Sequence, residues 1–303
     1  MKVRVIYNPA AGGGRDRVLQ RVVVALERRG VAAEVYRTRG PGDATQWLRQ
    51  QSHDGIDMVI AVGGDGTTNE VINGLPSDLP LGVFATGTAN VLAQELALPA
   101  DPEQAAAVIA EGRNLLVWPG RLNERRFVMM AGIGYDAWVV EGVNLAIKQR
   151  FGKLAYVLSM LANIGRYGRQ RFQVMVDGQV ESCYSLVVTN GRCYGGSFIL
   201  SPQARIDAPR FQVLMFQAPG VRALLATLLR LPFGRMETAP GVVSVPATRV
   251  EVRADGDEPV QTDGDLAGRL PALLEVDTVP VPVRVSAAVW QRYQSPVSEP
   301  PLQ

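Results

Sequence analysis

Met58-Val59-Ile60-Ala61-Val62-Gly63-Gly64-Asp65-Gly66-Thr67-Thr68-Asn69-Glu70 is the stretch around which the chain is organised. An apolar run of strand length stops at paired glycines. An acid, a third glycine, two hydroxyls, an amide and a carboxylate then lead into Val71-Ile72-Asn73-Gly74. The pattern predicts a buried strand, a tight turn and the first turn of a helix. Such a turn bares backbone N–H groups with the helix dipole behind them, which suits an anion. The glycines let the chain pass close to a ligand where a Cβ would collide. Asp65 repels phosphate unless a metal or a reacting hydroxyl lies between them, which points to phosphoryl transfer rather than anion storage. The spacing is neither the Walker pattern, which needs a Lys after its last Gly, nor the dinucleotide Gly-x-Gly-x-x-Gly pattern.

Working outward, residues 3–8 read as a buried strand, 9–14 as a glycine-rich turn and 18–28 as a helix stopped by Gly30. Strands are expected at 31–36 and 81–84, and helices at 44–51, 68–73, 89–96 and 102–111. Strands alternating with helices predict a doubly wound parallel sheet with helices on both faces, an α/β nucleotide domain over 1–118. The loops at Asn8, Thr38, Gly64 and Thr88 then share the carboxyl edge of that sheet, where ligands bind. Near residue 115 the pattern changes to short strands separated by turn signals such as Asp177-Gly178 and Asn190-Gly191. That predicts a mainly-β second domain over 119–290, an antiparallel β-sandwich. Residues 291–303 are expected to form a mobile, Pro-rich tail.

A chain of 303 residues suits two domains, and 47% hydrophobic with 20% charged residues is ordinary for a folded globular protein. A net charge of +2 makes no case for nucleic acid. No run of 18 apolar uncharged residues occurs, so no transmembrane segment is expected. The start of the chain reads as a first strand rather than a signal peptide. Cys183 and Cys193 lack metal-ligand spacing and are expected to be idle thiols in a reducing cytoplasm. His53 is the single histidine. Ser-His-Asp chemistry and His-rich zinc sites are therefore disfavoured, and any general base must be a carboxylate.

Gly63-Gly64-Asp65-Gly66-Thr67 followed by Asn69-Glu70 resembles the signature of the diacylglycerol kinase catalytic family, which includes bacterial lipid kinases, sphingosine kinases and ceramide kinases, with NAD kinases as distant relatives. Asn8-Pro9-Ala10-Ala11-Gly12 is similar to the family's first loop, Thr38 with Gly42-Asp43-Ala44 to its second, and Gly87-Thr88-Ala89-Asn90 to its third. Gly132-Ile133-Gly134-Tyr135-Asp136-Ala137, Phe151-Gly152-Lys153-Leu154-Ala155-Tyr156 and Tyr194-Gly195-Gly196 follow in the family's order.

The resemblance implies transfer of the γ-phosphate of ATP, with Mg²⁺, to a lipid hydroxyl. Carried over by position, Asn8, Pro9, Ala10, Ala11, Gly12, Thr38, Gly63, Gly64, Asp65, Gly66, Thr67, Thr68, Asn69, Glu70 and Thr88 would surround the nucleotide. Arg15 and Arg17 could add charge-assisted bonds to phosphate, or sit on a solvated helix start. In Asp263-Gly264-Asp265 the family has Asp-Gly-Glu, whose last acid is taken as the proton acceptor. Asp265 would then be the base, Asp263 its partner or a metal-side carboxylate, and Asp65 a third catalytic acid. Taken alone, Asp263-Gly264 is an ordinary hairpin turn.

Two positions depart from the family. Val91 stands where many relatives have Asp. Ala208 stands where some bacterial members have a ligand of a structural magnesium, leaving Asp207 with too few hard ligands.

Residues 148–169 and 221–235 are apolar stripes with basic ends, suited to a membrane surface, an acyl pocket or a core-facing helix. The resemblance implies a cytoplasmic protein, peripheral at the inner membrane face, that meets its lipid there; a homodimer is left open. Two rivals stand beside this reading: a soluble NAD-kinase-like enzyme and a non-catalytic nucleotide- or lipid-sensing module.

Overall fold

A computed structural model describes residues 1–11, 16–143 and 153–294. Gly12, Arg15, residues 148–152 and the tail from 295 lie outside the described residues.

The first domain forms as its periodicity dictates. Strands β1 (Lys2–Tyr7), β2 (Ala32–Arg37), β3 (Met58–Gly63) and β4 (Leu81–Ala85) lie parallel in the order β2-β1-β3-β4. β3 is buried along its whole length because both faces are covered. Met58, Ile60 and Val62 meet helices α1 (Asp16–Glu27) and α5 (Pro102–Glu111) on one face. Val59 and Ala61 meet α2 (Asp43–Gln50) and α3 (Asp65–Gly74) on the other. The short helix α4 (Val91–Glu95) follows β4. Asp101 caps α5, its carboxylate accepting from the N–H groups of Glu103 and Gln104, with Pro102 at the first helical position. Strand β5 (Arg113–Val117) stands at the far edge of the same sheet.

The second domain carries two six-stranded antiparallel sheets. One contains β6 (Gly120–Leu122), β7 (Arg125–Phe127), β9 (Phe172–Val176), β10 (Gln179–Cys183), β16 (Arg249–Arg253) and β19 (Ala272–Val276). The other contains β8 (Met130–Ile133), β11 (Ser185–Thr189), β14 (Phe211–Phe216), β15 (Val242–Ala247), β17 (Pro259–Thr262) and β18 (Asp265–Arg269). They share one apolar core in which Phe127 stacks on Phe211 at 5.8 Å. Around the sandwich lie α6 (Tyr135–Glu141), α7 (Lys153–Asn163), the small hairpin β12 (Cys193–Tyr194) with β13 (Phe198–Ile199), and α8 (Val221–Leu228). Cys183 and Cys193 are buried and unpaired, and burial pushes both thiols up to about 12.

The expected domain boundaries need one correction. Strand β20 (Val281–Val285) returns to the first sheet and inserts between β4 and β5, parallel to the former and antiparallel to the latter. Helix α9 (Ala287–Gln294) then packs on the first domain, burying Val289 and Tyr293. The sandwich therefore does not run to residue 290, and residues 291–294 form the end of a docked helix. Two chain passes, at about 117–119 and 277–281, join the domains.

Candidate active site

The first loop is built from Asn8, whose Oδ1 accepts from the Ala10 N–H at 2.9 Å while its Nδ2 donates to Thr67 Oγ1 at 3.0 Å. That pair ties the turn after β1 to the start of α3. Gly63 must be glycine, because a Cβ there would lie 2.3 Å from Thr67 Oγ1. At Gly87 a Cβ would come within 2.7 Å of the Gly64 Cα, so the loops after β3 and β4 touch backbone to backbone.

Asp65 opens α3 and reaches sideways: its Oδ1 accepts from the Val91 N–H at 2.7 Å, at the first turn of α4. Burial pushes this carboxyl up to about 6, against the pull of the α4 N–H groups, and the neighbouring Asp263 charge adds to the rise. Glu70, at the other end of the motif, caps α2. Its oxygens accept from the N–H groups of Gly42 at 2.8 Å and Ala44 at 3.2 Å.

Asn69 and Asn73, four residues apart on one face of α3, fasten the domains. Both donate to the Arg126 carbonyl, at 3.1 and 3.0 Å, and Asn73 Oδ1 accepts from the Arg126 N–H at 2.9 Å. Arg126 in turn donates through Nε to Asp277 at 2.5 Å. A second fastening is Glu95, fully buried, which accepts from Arg192 Nε, the N–H groups of Arg192 and Cys193, and the Tyr293 hydroxyl. Burial alone would raise the Glu95 carboxyl, but the Arg192 charge and these donors outweigh it and hold it below the usual range.

The second acidic cluster is a two-residue hairpin turn. Asp263 (φ 50°) and Gly264 (φ 88°) join β17 to β18, the mirror-image turn that suits strand twist. The Asp263 carboxylate is saturated: Oδ2 accepts from Asn69 Nδ2 at 2.8 Å and the Val128 N–H at 2.7 Å. Oδ1 accepts from the N–H groups of Met129 at 2.8 Å and Met130 at 3.0 Å. Burial raises this carboxyl while its four donors pull it down. With four N–H groups on four lone pairs, Asp263 is a clamp and has nothing left for a metal.

Asp265, the next acid along, is exposed, and its side chain makes no hydrogen bond or ion pair among the described residues. Its Oδ2 lies 3.3 Å from where a Cβ on Gly66 would stand. The unbonded carboxylate thus faces the first turn of α3 from across the cleft.

That cleft has a volume of about 2200 Å³ and is lined by both domains. Asn8, Ala10, Ala11 and Thr38 line it, as does the run from Gly64 to Glu70; Thr88, Asp263 and Asp265 complete the set. Gly63 supports the loop from behind, and neither it nor Pro9 lines the space. Arg17 is exposed on α1, away from the cleft. The far half is apolar, walled by Tyr156 and Met160 of α7, Phe216, Leu224 and Leu228 of α8, and Met236.

Between the two halves sits a polar chain that motif reading did not assign. The Tyr194 hydroxyl and Gln261 Nε2 bond the two oxygens of Asp136, and Gln261 Oε1 accepts from the Gly264 N–H at 2.9 Å. Burial raises the Asp136 carboxyl, and both partners oppose it. Arg125 also reaches the cleft, its guanidinium 3.4 Å from Asn69 Oδ1. Asp136 and Tyr194 lie in stretches that resemble the family, Gly132 to Ala137 and Tyr194 to Gly196, to which no role was attached; Arg125, a hairpin arginine, carries no local signal.

Asp207 is not a metal ligand here. Both its oxygens are taken by the Arg205 guanidinium, at 2.9 and 2.7 Å, so a fixed cation already fills the place beside it. No group of three or more His, Cys, Asp or Glu among the described residues could hold a metal ion.

Comparison with known proteins agrees with this geometry. The diacylglycerol kinase catalytic domain profile matches residues 2–120, and the YegS C-terminal NAD kinase beta sandwich-like domain profile matches 129–287. The chain is 30% identical over 279 residues to a diacylglycerol kinase of Staphylococcus carnosus (strain TM300), covering 89% of this chain and 90% of that one. With a diacylglycerol kinase of Staphylococcus aureus (strain MRSA252) it is 29% identical over 277 residues, covering 89% and 88%. Among solved structures, a diacylglycerol kinase from Bacillus anthracis str. Sterne superposes with a TM-score of 0.78 at 25% identity, covering 95% of this chain and 98% of that one. An NAD kinase from Archaeoglobus fulgidus in complex with ATP shares the fold, with a TM-score of 0.53 at 14% identity over 96% of each chain. The chain belongs to the diacylglycerol kinase family and is a lipid kinase.

Proposed function

We propose that the protein transfers the γ-phosphate of ATP to the hydroxyl of a diacylglycerol-like, sphingoid or related lipid, in the cleft between its domains. The observation that carries this reading is the pairing, in one cleft, of a glycine-rich helix start with an unbonded carboxylate, Asp265, beside an apolar wall.

The nucleotide phosphates lie against the turn from Gly64 to Thr67, where N–H groups and the α3 dipole oppose their charge. Asn8, Thr38 and Thr88 supply short polar groups around them. Asp265 accepts the proton of the lipid hydroxyl while that oxygen attacks the γ-phosphorus. The bond from phosphorus to the bridging oxygen of ADP breaks, ADP leaves, and the proton stays on the Asp265 carboxylate. Asp263 does not react; it holds the turn that aims Asp265.

Asp65 is the cleft carboxylate that would hold Mg²⁺ brought in with the nucleotide, through the oxygen not committed to Val91. One carboxylate plus phosphate oxygens suits that ion, which keeps several waters and rarely has an all-protein cage. Bound there, it would supply positive charge against the phosphates and leave Asp265 free as the base.

The apolar far half favours a lipid over a dinucleotide, whose second nucleoside needs polar partners. Supply of ATP places the reaction at the cytoplasmic face of a membrane, with the protein peripheral to it. The test is transfer from γ-labelled ATP into a mixed lipid extract with Mg²⁺, resolved by chromatography. A labelled lipid is expected, and Asp265→Asn should abolish it. Label in a water-soluble dinucleotide would move the chain to NAD-kinase chemistry, and bound ATP with no transfer would make it a sensing module.

A further inference from the structure

Two buried carboxylates are saturated in the same way, one in each domain. Asp263 holds the turn before Asp265. Its counterpart is Glu95, at the C-terminal end of α4 and fully buried. Glu95 Oε1 accepts from Arg192 Nε at 3.0 Å and from the Tyr293 hydroxyl at 2.9 Å. Its Oε2 accepts from the N–H groups of Arg192 at 2.8 Å and Cys193 at 2.9 Å. Arg292 of α9 adds a bond to the Glu95 carbonyl at 3.0 Å. Two donors on each oxygen fix both the place and the direction of this carboxylate.

The other end of α4 presents the Val91 N–H, which holds Asp65 Oδ1 at 2.7 Å. Val91 and Glu95 are about one helical turn apart, so α4 is a short strut between Asp65 and Glu95. A helix of five residues is not stable by itself and takes its position from its packing and from what holds its ends.

The far side of Glu95 leads to the second acidic turn. Arg192 and Cys193 follow Asn190-Gly191 in the loop between β11 and β12. Asn190 donates through its N–H to the Met129 carbonyl and through Nδ2 to the Val128 carbonyl, both at 2.8 Å. The N–H groups of the same Val128 and Met129 hold the Asp263 carboxylate. Gly191 lies pressed between the two parts: a Cβ there would stand 2.5 Å from Met129 Cε and 3.3 Å from Glu95 Cδ. Backbone and hydrogen bonds therefore run without a gap from Asp65, through α4, Glu95 and the loop 190–193, to the turn 263–265 that carries Asp265.

Stability alone does not call for an acid at this place. A buried ion pair seldom stabilises a fold more than well-packed apolar side chains would. What an apolar contact cannot supply is direction, and the bonds to Glu95 all run between elements that carry active-site acids or their supports.

We infer that Glu95 is a positioning residue for phosphoryl transfer: by tying α4 to the loop 190–193 it fixes the Asp65 carboxylate relative to the turn 263–265. The inference rests on the proposed role of Asp65 toward the Mg²⁺ of the bound nucleotide.

The experiment is calorimetric titration of the full chain with ATP, once in Mg²⁺ and once in a chelator. In the parent protein Mg²⁺ should tighten ATP binding, and Asp65→Asn should abolish that gain. Glu95→Gln, which keeps the shape and removes the charge, should weaken binding in Mg²⁺ about fivefold and leave the affinity in chelator unchanged within about twofold. Tyr293→Phe, which removes one donor of the four, should do the same by about threefold. In an Asp65→Asn protein, Glu95→Gln should change neither affinity, because the side chain it acts through has gone.

A merely structural role would weaken both affinities alike and add its full cost in the double variant; either result would overturn the inference. So would Tyr293→Phe that binds ATP in Mg²⁺ as the parent does, a readout that stands even where Glu95→Gln fails to fold. A parent protein indifferent to Mg²⁺ would overturn it together with the role of Asp65. The expected binding pattern, with no labelled lipid from any of the proteins, would support the positioning role and defeat the lipid transfer alone.

Discussion

Asn69 Nδ2 and Asp263 Oδ2, 194 positions apart in the chain, meet at 2.8 Å across the domain boundary. Asn69 belongs to the glycine-rich motif and Asp263 to the hairpin turn, so one hydrogen bond registers the phosphate-facing edge against the carboxylate that faces it. Asp263 makes this possible by being saturated: with all its lone pairs in use, it holds one geometry.

Removing the clamp should be costly. Asp263→Ala orphans the Val128, Met129 and Met130 N–H groups and leaves the Asn69 amide only its bond to the Arg126 carbonyl. Loss of a buried carboxylate with that many donors is expected to destabilise by about 3 kcal/mol or more. Thermal unfolding should show it directly, whereas Asp263→Asn, which keeps one acceptor, should lose less.

Asp265→Asn should leave stability nearly untouched, because the Asp265 side chain makes no bond among the described residues. Its kcat should fall by about 10²–10⁴-fold, the usual share of a general base. Steady-state kinetics beside a melting curve separates this from a folding defect. Gly66→Ala, whose methyl would stand 3.3 Å from Asp265 Oδ2, should also lower kcat by crowding the carboxylate.

Asp65 gives a pH signature. Its carboxyl is pushed up to about 6 when folded, against about 3.9 in an unfolded chain. Between those values the folded protein holds a proton that the unfolded one releases. The contribution to stability is complete below about pH 4 and is lost as pH rises through about 6. Asp65→Asn mimics the protonated form, so its melting temperature relative to the parent protein should rise from about pH 5 to about pH 7.5. A constant difference across that window would remove Asp65 as the source.

Gln261 is the link between buried Asp136 and the Gly264 N–H. Gln261→Met keeps the length and removes both bonds. The expected result is a roughly tenfold lower kcat with the ATP KM little changed, since the turn loosens but the phosphate loops do not move. An equal rise in ATP KM would contradict a positioning role.

The Arg205–Asp207 pair predicts indifference to metal. Without nucleotide, the melting temperature should be the same in Mg²⁺ and in a chelator, because the guanidinium already neutralises Asp207. Arg205→Ala should destabilise by about 2–3 kcal/mol, since it leaves a partly buried carboxylate unpaired and also removes the bond to the Tyr293 carbonyl.

Much of this architecture could be read from local pattern. Alternation along Met58–Gly63 sends successive side chains to opposite cores, and the paired glycines after it specify a tight turn whatever follows. Asp263-Gly264 was legible as a hairpin turn, and its positive backbone angles bear that out. Glu70 and Asp65 were legible as polar members of a ligand loop. Their caps on α2 and α4 were not, because the N–H groups they meet, of Gly42 and Val91, lie 28 positions earlier and 26 later in the chain.

What the sequence alone determined, then, is the order and type of elements, the glycine-rich helix start and the two acidic turns, since each depends on neighbours within a few residues. What only the tertiary structure decided is who partners whom. Strand β20 was hidden because a five-residue Val-Pro-Val-Arg-Val segment suits either domain, and only the open place between β4 and β5 selects one. The same holds for the acids: Asp263 and Asp265 are two residues apart and chemically alike. One meets four N–H groups and the other faces the cleft, because the two-residue turn at Asp263-Gly264, with both φ angles positive, breaks the strand alternation that would put positions i and i+2 on one side.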